Sequence, residues 1–170
     1  MSCLFDSLAA LLVERPELLA SSAFHELRDL SAPNGPYGPN GLNGPNGPNG
    51  PNGPNGASVR AAICALLARR AIEVHDIALD EWGAMEAGTT RDAYVRGMRD
   101  GGTWGGGVEI AVAAKALRVP IVVHYGATRV VFWPNSAPTS APTSAPNGGP
   151  NSATRLELRY TGSHYTPVLR

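Results

Sequence analysis

The chain is poor in cysteine, in net charge and in long apolar runs, and each shortage removes a class of protein. Two cysteines, Cys3 and Cys64, in 170 residues are too few for a disulfide framework, which points to a reducing, cytoplasmic setting. Basic and acidic residues balance at 14 each, so no cationic surplus is left for phosphate contacts and no nucleic-acid partner is expected. No apolar run approaches the ~20 residues of a membrane span. No basic leader precedes an apolar stretch, and Glu14 and Arg15 interrupt the first helical segment; neither a signal peptide nor a transmembrane segment is expected. His25 and His75 lack partners at metal-ligand spacing. The glycine tract neither follows a strand nor carries the lysine of a phosphate loop, so no metal and no cofactor is expected. What is present, 43% apolar residues in a chain of one domain's length, suffices for a single core over residues 1–170.

Two segments do not belong to that core. From Gly35 to Gly56 glycine recurs at every third position, mostly as Gly-Pro-Asn, and residues 134–152 are built on Ser-Ala-Pro-Thr repeats. Neither has the apolar content to offset its ordering entropy. The strict glycine period admits a collagen-like triple helix, since only glycine fits that crowded axis. The tract is short, however, rich in Asn at the third position, and internal to the chain. Residues 33–56 and 134–152 are therefore read as two disordered loop insertions, which a compact domain carries at modest entropic cost.

Between the insertions the patterning predicts an α+β domain, helices packed around a small sheet. Cys3–Leu12 has its apolar residues at helical spacing behind Ser2 as a cap, and a short helix is expected over 23–30. Further helices are expected over 58–68, with Ser58 as cap, over 90–99, stopped by Gly101 and Gly102, and over 108–117. Residues 119–125, 129–133 and 156–160 read as strands. Glu73, His75 and Asp76 read as a surface turn, Cys64 as core, and His124 as a packing or hydrogen-bonding residue at a strand end.

Chemistry concentrates at the two ends of the chain. Cys3 lies in the first turn of a helix, where unpaired backbone amides and the macrodipole favour an anion and so favour a nucleophilic thiolate. His164 follows the last predicted strand. A strand-end histidine beside a helix-start cysteine is the arrangement in which imidazole takes the thiol proton.

Four blocks then resemble the ovarian-tumour (OTU) family of cysteine proteases, in that family's order. They are Cys3-Leu4-Phe5-Asp6-Ser7-Leu8-Ala9, Val59-Arg60, Gly102-Thr103-Trp104-Gly105-Gly106-Gly107-Val108-Glu109 preceded by Tyr94 and Met98, and Tyr160-Thr161-Gly162-Ser163-His164-Tyr165-Thr166-Pro167-Val168. The resemblance implies a papain-like thiol hydrolase, a deubiquitinase cleaving the C-terminal amide or isopeptide bond of ubiquitin or ubiquitin-like conjugates. Cys3 would be the nucleophile and His164 the general base. It leaves Trp104 and Glu109 as structural residues, a tryptophan packed in the domain near the approach to the site and a glutamate fixing a helix start.

Two positions depart from the family pattern. Only Met1 and Ser2 precede Cys3, where the family carries an Asp-Gly-Asn type loop that helps form the oxyanion hole, and loss of one such donor costs ~10²–10³ in turnover. Thr166 stands two residues after His164, where many members have an acid or amide that orients the histidine. Asp6 reads as a solvated helix residue, not as a triad acid. An active deubiquitinase, an inactive OTU fold that binds ubiquitin or another partner, and an interaction protein working through its repeats all remain open on sequence alone.

Overall fold

The computed structural model describes residues 3–20, 54–69, 73–74, 77–134 and 155–169. The helix expected over 23–30, His25, His75, Asp76, residues 33–53 and residues 135–152 lie outside them.

Among the described residues there are six helices: α1 (Cys3–Glu14), α2 (Pro16–Ala20), α3 (Gly56–Ala68), α4 (Leu79–Glu86), α5 (Arg91–Arg99) and α6 (Gly107–Leu117). The strands are β1 (Glu73–Val74), β2 (Ile77–Ala78), β3 (Ile121–Tyr125), β4 (Thr128–Phe132), β5 (Leu156–Tyr160) and β6 (Tyr165–Pro167). The first two form a small antiparallel ladder, where the sequence predicts a turn. The others form a mixed sheet in the order β4-β3-β5-β6. In it β3 is antiparallel to β4 and parallel to β5, and β5 is antiparallel to β6. The chain is α+β, as the patterning predicts.

Helix α1 forms because Leu4, Phe5, Leu8, Leu11 and Leu12 recur on one face, and all five are buried. They meet Val59, Ile63, Leu66 and Leu67 of α3, their partners in one core, and each such side chain contributes roughly 1.5–3 kcal/mol on burial. Helix α6 is alanine-rich, so it approaches its neighbours closely. It ends at Arg118, whose φ of 58° puts it in the left-handed region, and the Val119 amide donates back to the Ala114 carbonyl at 3.2 Å. The chain then passes into β3, where Ile121 and Val123 face the helices.

Two sequence expectations change, and helix α4 was not expected at all. Ser58 is not the cap of α3. Asn55 is: its side chain accepts from the Ser58 amide at 2.9 Å, while Ser58 Oγ accepts from the Asn55 amide at 3.0 Å. The last Asn-Gly of the repeat is thus the start of a helix, because only a residue three positions before Ser58 can close this reciprocal box. His164 does not follow the last strand, since β6 comes after it. Helix α4 has no periodic signal strong enough to predict it, and it is held instead by tertiary contact: buried Asp80 pairs with Arg91 at the start of α5.

Candidate active site

Cys3 is the first residue of α1 and is partly exposed. One turn on, Ser7 Oγ lies 2.7 Å from the Cys3 carbonyl and 3.0 Å from the Tyr165 carbonyl. Its single proton is shared between the two. That buried serine ties the start of α1 to the residue following His164. Burial pushes the Tyr165 hydroxyl pKa up, and the ionisable groups of Tyr160 and Cys3 add to the rise.

His164 sits in the turn between β5 and β6. The Thr161 amide donates to the His164 carbonyl at 3.0 Å, and Gly162 has a φ of 97°, a conformation few side-chain-bearing residues adopt. Stacking of Tyr160 on Tyr165 at 4.6 Å between centroids and the Tyr160 hydroxyl bond to the Gly162 carbonyl at 2.6 Å hold the same turn. The imidazole is exposed and meets the edge of the Trp104 ring at 5.8 Å. Thr166 is exposed on β6, opposite Arg159.

Trp104 corrects the sequence reading. It is 47% exposed and is not a packed core residue. The loop after α5 presents the ring at the surface, against His164. The loop itself is pressed onto the start of α1: a Cβ at Gly105 would lie 2.8 Å from Leu4 Cδ2 and 2.9 Å from the Phe5 ring, so any other residue there would force those side chains to shift.

Glu109 does fix a helix start. Its Oε2 accepts from the Gly106 amide at 2.7 Å, and its Oε1 accepts from the Tyr94 hydroxyl. Burial pushes the Glu109 carboxyl pKa up, against the lowering effect of those bonds. Cys64 is fully buried in α3, and burial first, then the charge of Glu109, pushes its thiol pKa up to about 12. Asp6 is exposed and abuts the start of α3, where a Cβ on Gly56 would collide with its carboxylate.

His124 belongs to a separate group. Its Nε2 lies 2.8 Å from Glu157 Oε2, and Arg155 Nε donates to Glu157 Oε1 at 2.9 Å. An adjacent cavity of about 740 Å³ is lined by His124, Glu157, Arg159, Thr161 and Val168 among others, and neither Cys3 nor His164 borders it.

Sequence reasoning missed Ser7 and the role of Arg60. Ser7 was legible only as a small polar residue one turn from Cys3. Arg60 shares a helical stripe with Ile63 and Leu67, and a charge on an apolar stripe is a signal of a buried, partnered cation.

Helices stacked on a mixed sheet, with a helix-start cysteine stitched to a histidine turn, make a layout suited to thiol chemistry. Compared with known families, the chain matches the OTU-like cysteine proteases over residues 2–165. It belongs to the OTU-like cysteine protease family. No curated protein matches it.

Proposed function

We propose that the chain is a thiol-dependent hydrolase of ubiquitin or ubiquitin-like conjugates, acting at their C-terminal amide or isopeptide bond, with Cys3 as nucleophile and His164 as general base. The observation that carries this reading is the Ser7 bridge, which joins the backbone of Cys3 to that of Tyr165, the neighbour of His164. Family membership supports the substrate class. The two thiols are free of disulfides, which suits work in a reducing intracellular compartment.

In this mechanism His164 takes the thiol proton and the Cys3 sulfur attacks the substrate carbonyl carbon. Backbone amides at the start of α1 face the developing oxyanion. The imidazolium returns the proton to the leaving amine, giving a thioester. Water, deprotonated by the same imidazole, attacks the thioester, releasing the carboxylate and restoring the thiol.

The test is labelling by ubiquitin carrying a C-terminal electrophile. Wild type and Cys64→Ala are expected to label, Cys3→Ala not at all, and His164→Ala roughly 10²–10⁴-fold more slowly. Labelling that persists without Cys3 contradicts the assignment. Retained ubiquitin binding without labelling of wild type favours a binding-only OTU fold, the reading to which exposed Thr166, poorly suited to orient His164, lends weight.

A further inference from the structure

Arg60 carries a full charge at 7% exposure on α3, a helix that holds none of the proposed reacting groups. Its Nη1 donates to the Met98 carbonyl at 2.8 Å and to the Thr103 carbonyl at 3.1 Å. Its guanidinium carbon sits 4.2 Å over the centroid of the Phe5 ring. Burying a cation is costly unless acceptors and a π face compensate it, and these partners are not scattered. Met98 is in the last turn of α5, Thr103 immediately precedes Trp104, and Phe5 is two residues after Cys3. One side chain therefore touches the nucleophile's helix, the end of α5 and the loop bearing the tryptophan that meets His164.

That loop needs an anchor. Gly101, Gly102, Gly105 and Gly106 fall within six residues of sequence, and glycines lose the most backbone freedom when ordered. The Cβ position of Gly105 points at Leu4 and Phe5, while Arg60 ties the Thr103 carbonyl.

We infer that Arg60 is a positioning residue: it clamps the 101–106 loop to α1 and so fixes the Trp104 ring against His164. This inference rests on the reading of Cys3 and His164 as the reacting pair. The clamp requires arginine. Its guanidinium lies over the Phe5 ring while Nη1 donates to the two carbonyls, whereas lysine carries its charge as a single point donor on a flexible stem and holds that pair of contacts less well.

The test follows the His164 ring protons by NMR across a pH titration, beside steady-state cleavage of ubiquitin bearing a fluorogenic C-terminal amide. The proteins are wild type, Arg60→Lys, Trp104→Ala and the double variant. Folded Arg60→Lys is expected to move the His164 resonances toward their Trp104→Ala positions, because the ring current of Trp104 is lost. Its kcat is expected to fall by about tenfold to a hundredfold, the range for small misplacements of a reacting group, with KM within about twofold. The double variant should be no slower than Trp104→Ala, since coupled residues are non-additive. Wild-type His164 resonances in folded Arg60→Lys, or losses that simply multiply in the double variant, overturn the inference. Should Arg60→Lys not fold, Arg60→Met replaces it, removing the cation and its donors while keeping an apolar stem of similar length, and the same shift of His164 is required. If wild type cleaves no ubiquitin substrate, the functional reading fails, and the His164 resonances still decide the role of Arg60.

Discussion

Cys3 and Cys64 ride on α1 and α3, helices that pack against each other, yet the same side chain meets opposite conditions at the two places. Cys3 is partly exposed at a helix start, and Ser7 ties its backbone to Tyr165, the neighbour of His164. Cys64 is at 0% exposure in mid-helix, and its thiol pKa is pushed up to about 12 by burial and by nearby Glu109. The difference teaches that the surroundings of a thiol in this fold are set by its place along the helix. A helix start has unpaired amides and an open side, whereas at Cys64 burial and the Glu109 carboxylate outweigh the lowering effect of Arg60 and Arg99.

The comparison breaks most visibly in alkali. An unfolded Cys64 thiol loses its proton near 9.0, but the folded one holds it to about 12. Between those values the native state binds the extra proton, so unfolding releases one and stability falls as pH rises. The contribution is present in full below about pH 9 and amounts to ~4 kcal/mol lost across the window. Denaturant unfolding from pH 8 to 11 should therefore show a falling stability that is visibly flatter in Cys64→Ala. Parallel slopes would mean that the thiol is solvated.

Tyr94→Phe sharpens the other half of the contrast, the buried carboxylate. It deletes the hydroxyl that donates to Glu109 and should cost roughly 1–3 kcal/mol, the range for a buried acceptor left short of a partner. The Glu109 carboxyl, already raised, should rise further. A raised carboxyl contributes stability in full below the ordinary carboxyl range and loses it as pH climbs through the folded value. The variant should accordingly lose stability with rising pH over a longer interval than wild type. An unchanged unfolding midpoint would remove Glu109 from the structural account.

Much of this was readable from residue spacing, and the limits are instructive. Helix α1 and strand β5 announce themselves because Leu4, Phe5, Leu8, Leu11 and Leu12 repeat at helical spacing and Leu156 and Leu158 at strand spacing. The positions of Cys3 and His164 came with the motifs around them. Strand β6 did not: three residues have no periodicity, and only their pairing with Leu158, Arg159 and Tyr160 of β5 makes them a strand. Asn55 was hidden because it looks like every other Asn of its repeat, and only its distance to Ser58 distinguishes it. Trp104 misled by its size. A large ring is usually buried, but here Gly105, the residue after it, brings the backbone against Leu4 and Phe5 of α1 while the ring stays outside.

Asn55→Ala should destabilise the domain by about 1 kcal/mol through loss of the α3 cap. We propose that residues 33–53 are dispensable, so replacing them by a short Gly-Ser linker that keeps Pro54, Asn55 and Gly56 should leave thermal unfolding nearly unchanged. The pair separates the cap from the repeat. A large loss on replacement, or loss of a trimer on sizing, would revive the collagen-like reading.

Trp104→Ala should have the smallest effect on stability, below about 1 kcal/mol, because an exposed ring forfeits little apolar burial. A cost of ~3–5 kcal/mol, the range for a core aromatic, would return Trp104 to the interior.

The central claim is that only one of the two thiols is a nucleophile and that His164 makes it one. Alkylation by iodoacetamide of the native protein at neutral pH, resolved by mass spectrometry at Cys3 and Cys64 in wild type and His164→Ala, measures this directly. Rapid modification of Cys3, slowed at least about tenfold without His164, with Cys64 untouched until the protein unfolds, is the predicted result. Equal rates at the two cysteines, or a Cys3 rate indifferent to His164, would contradict the account.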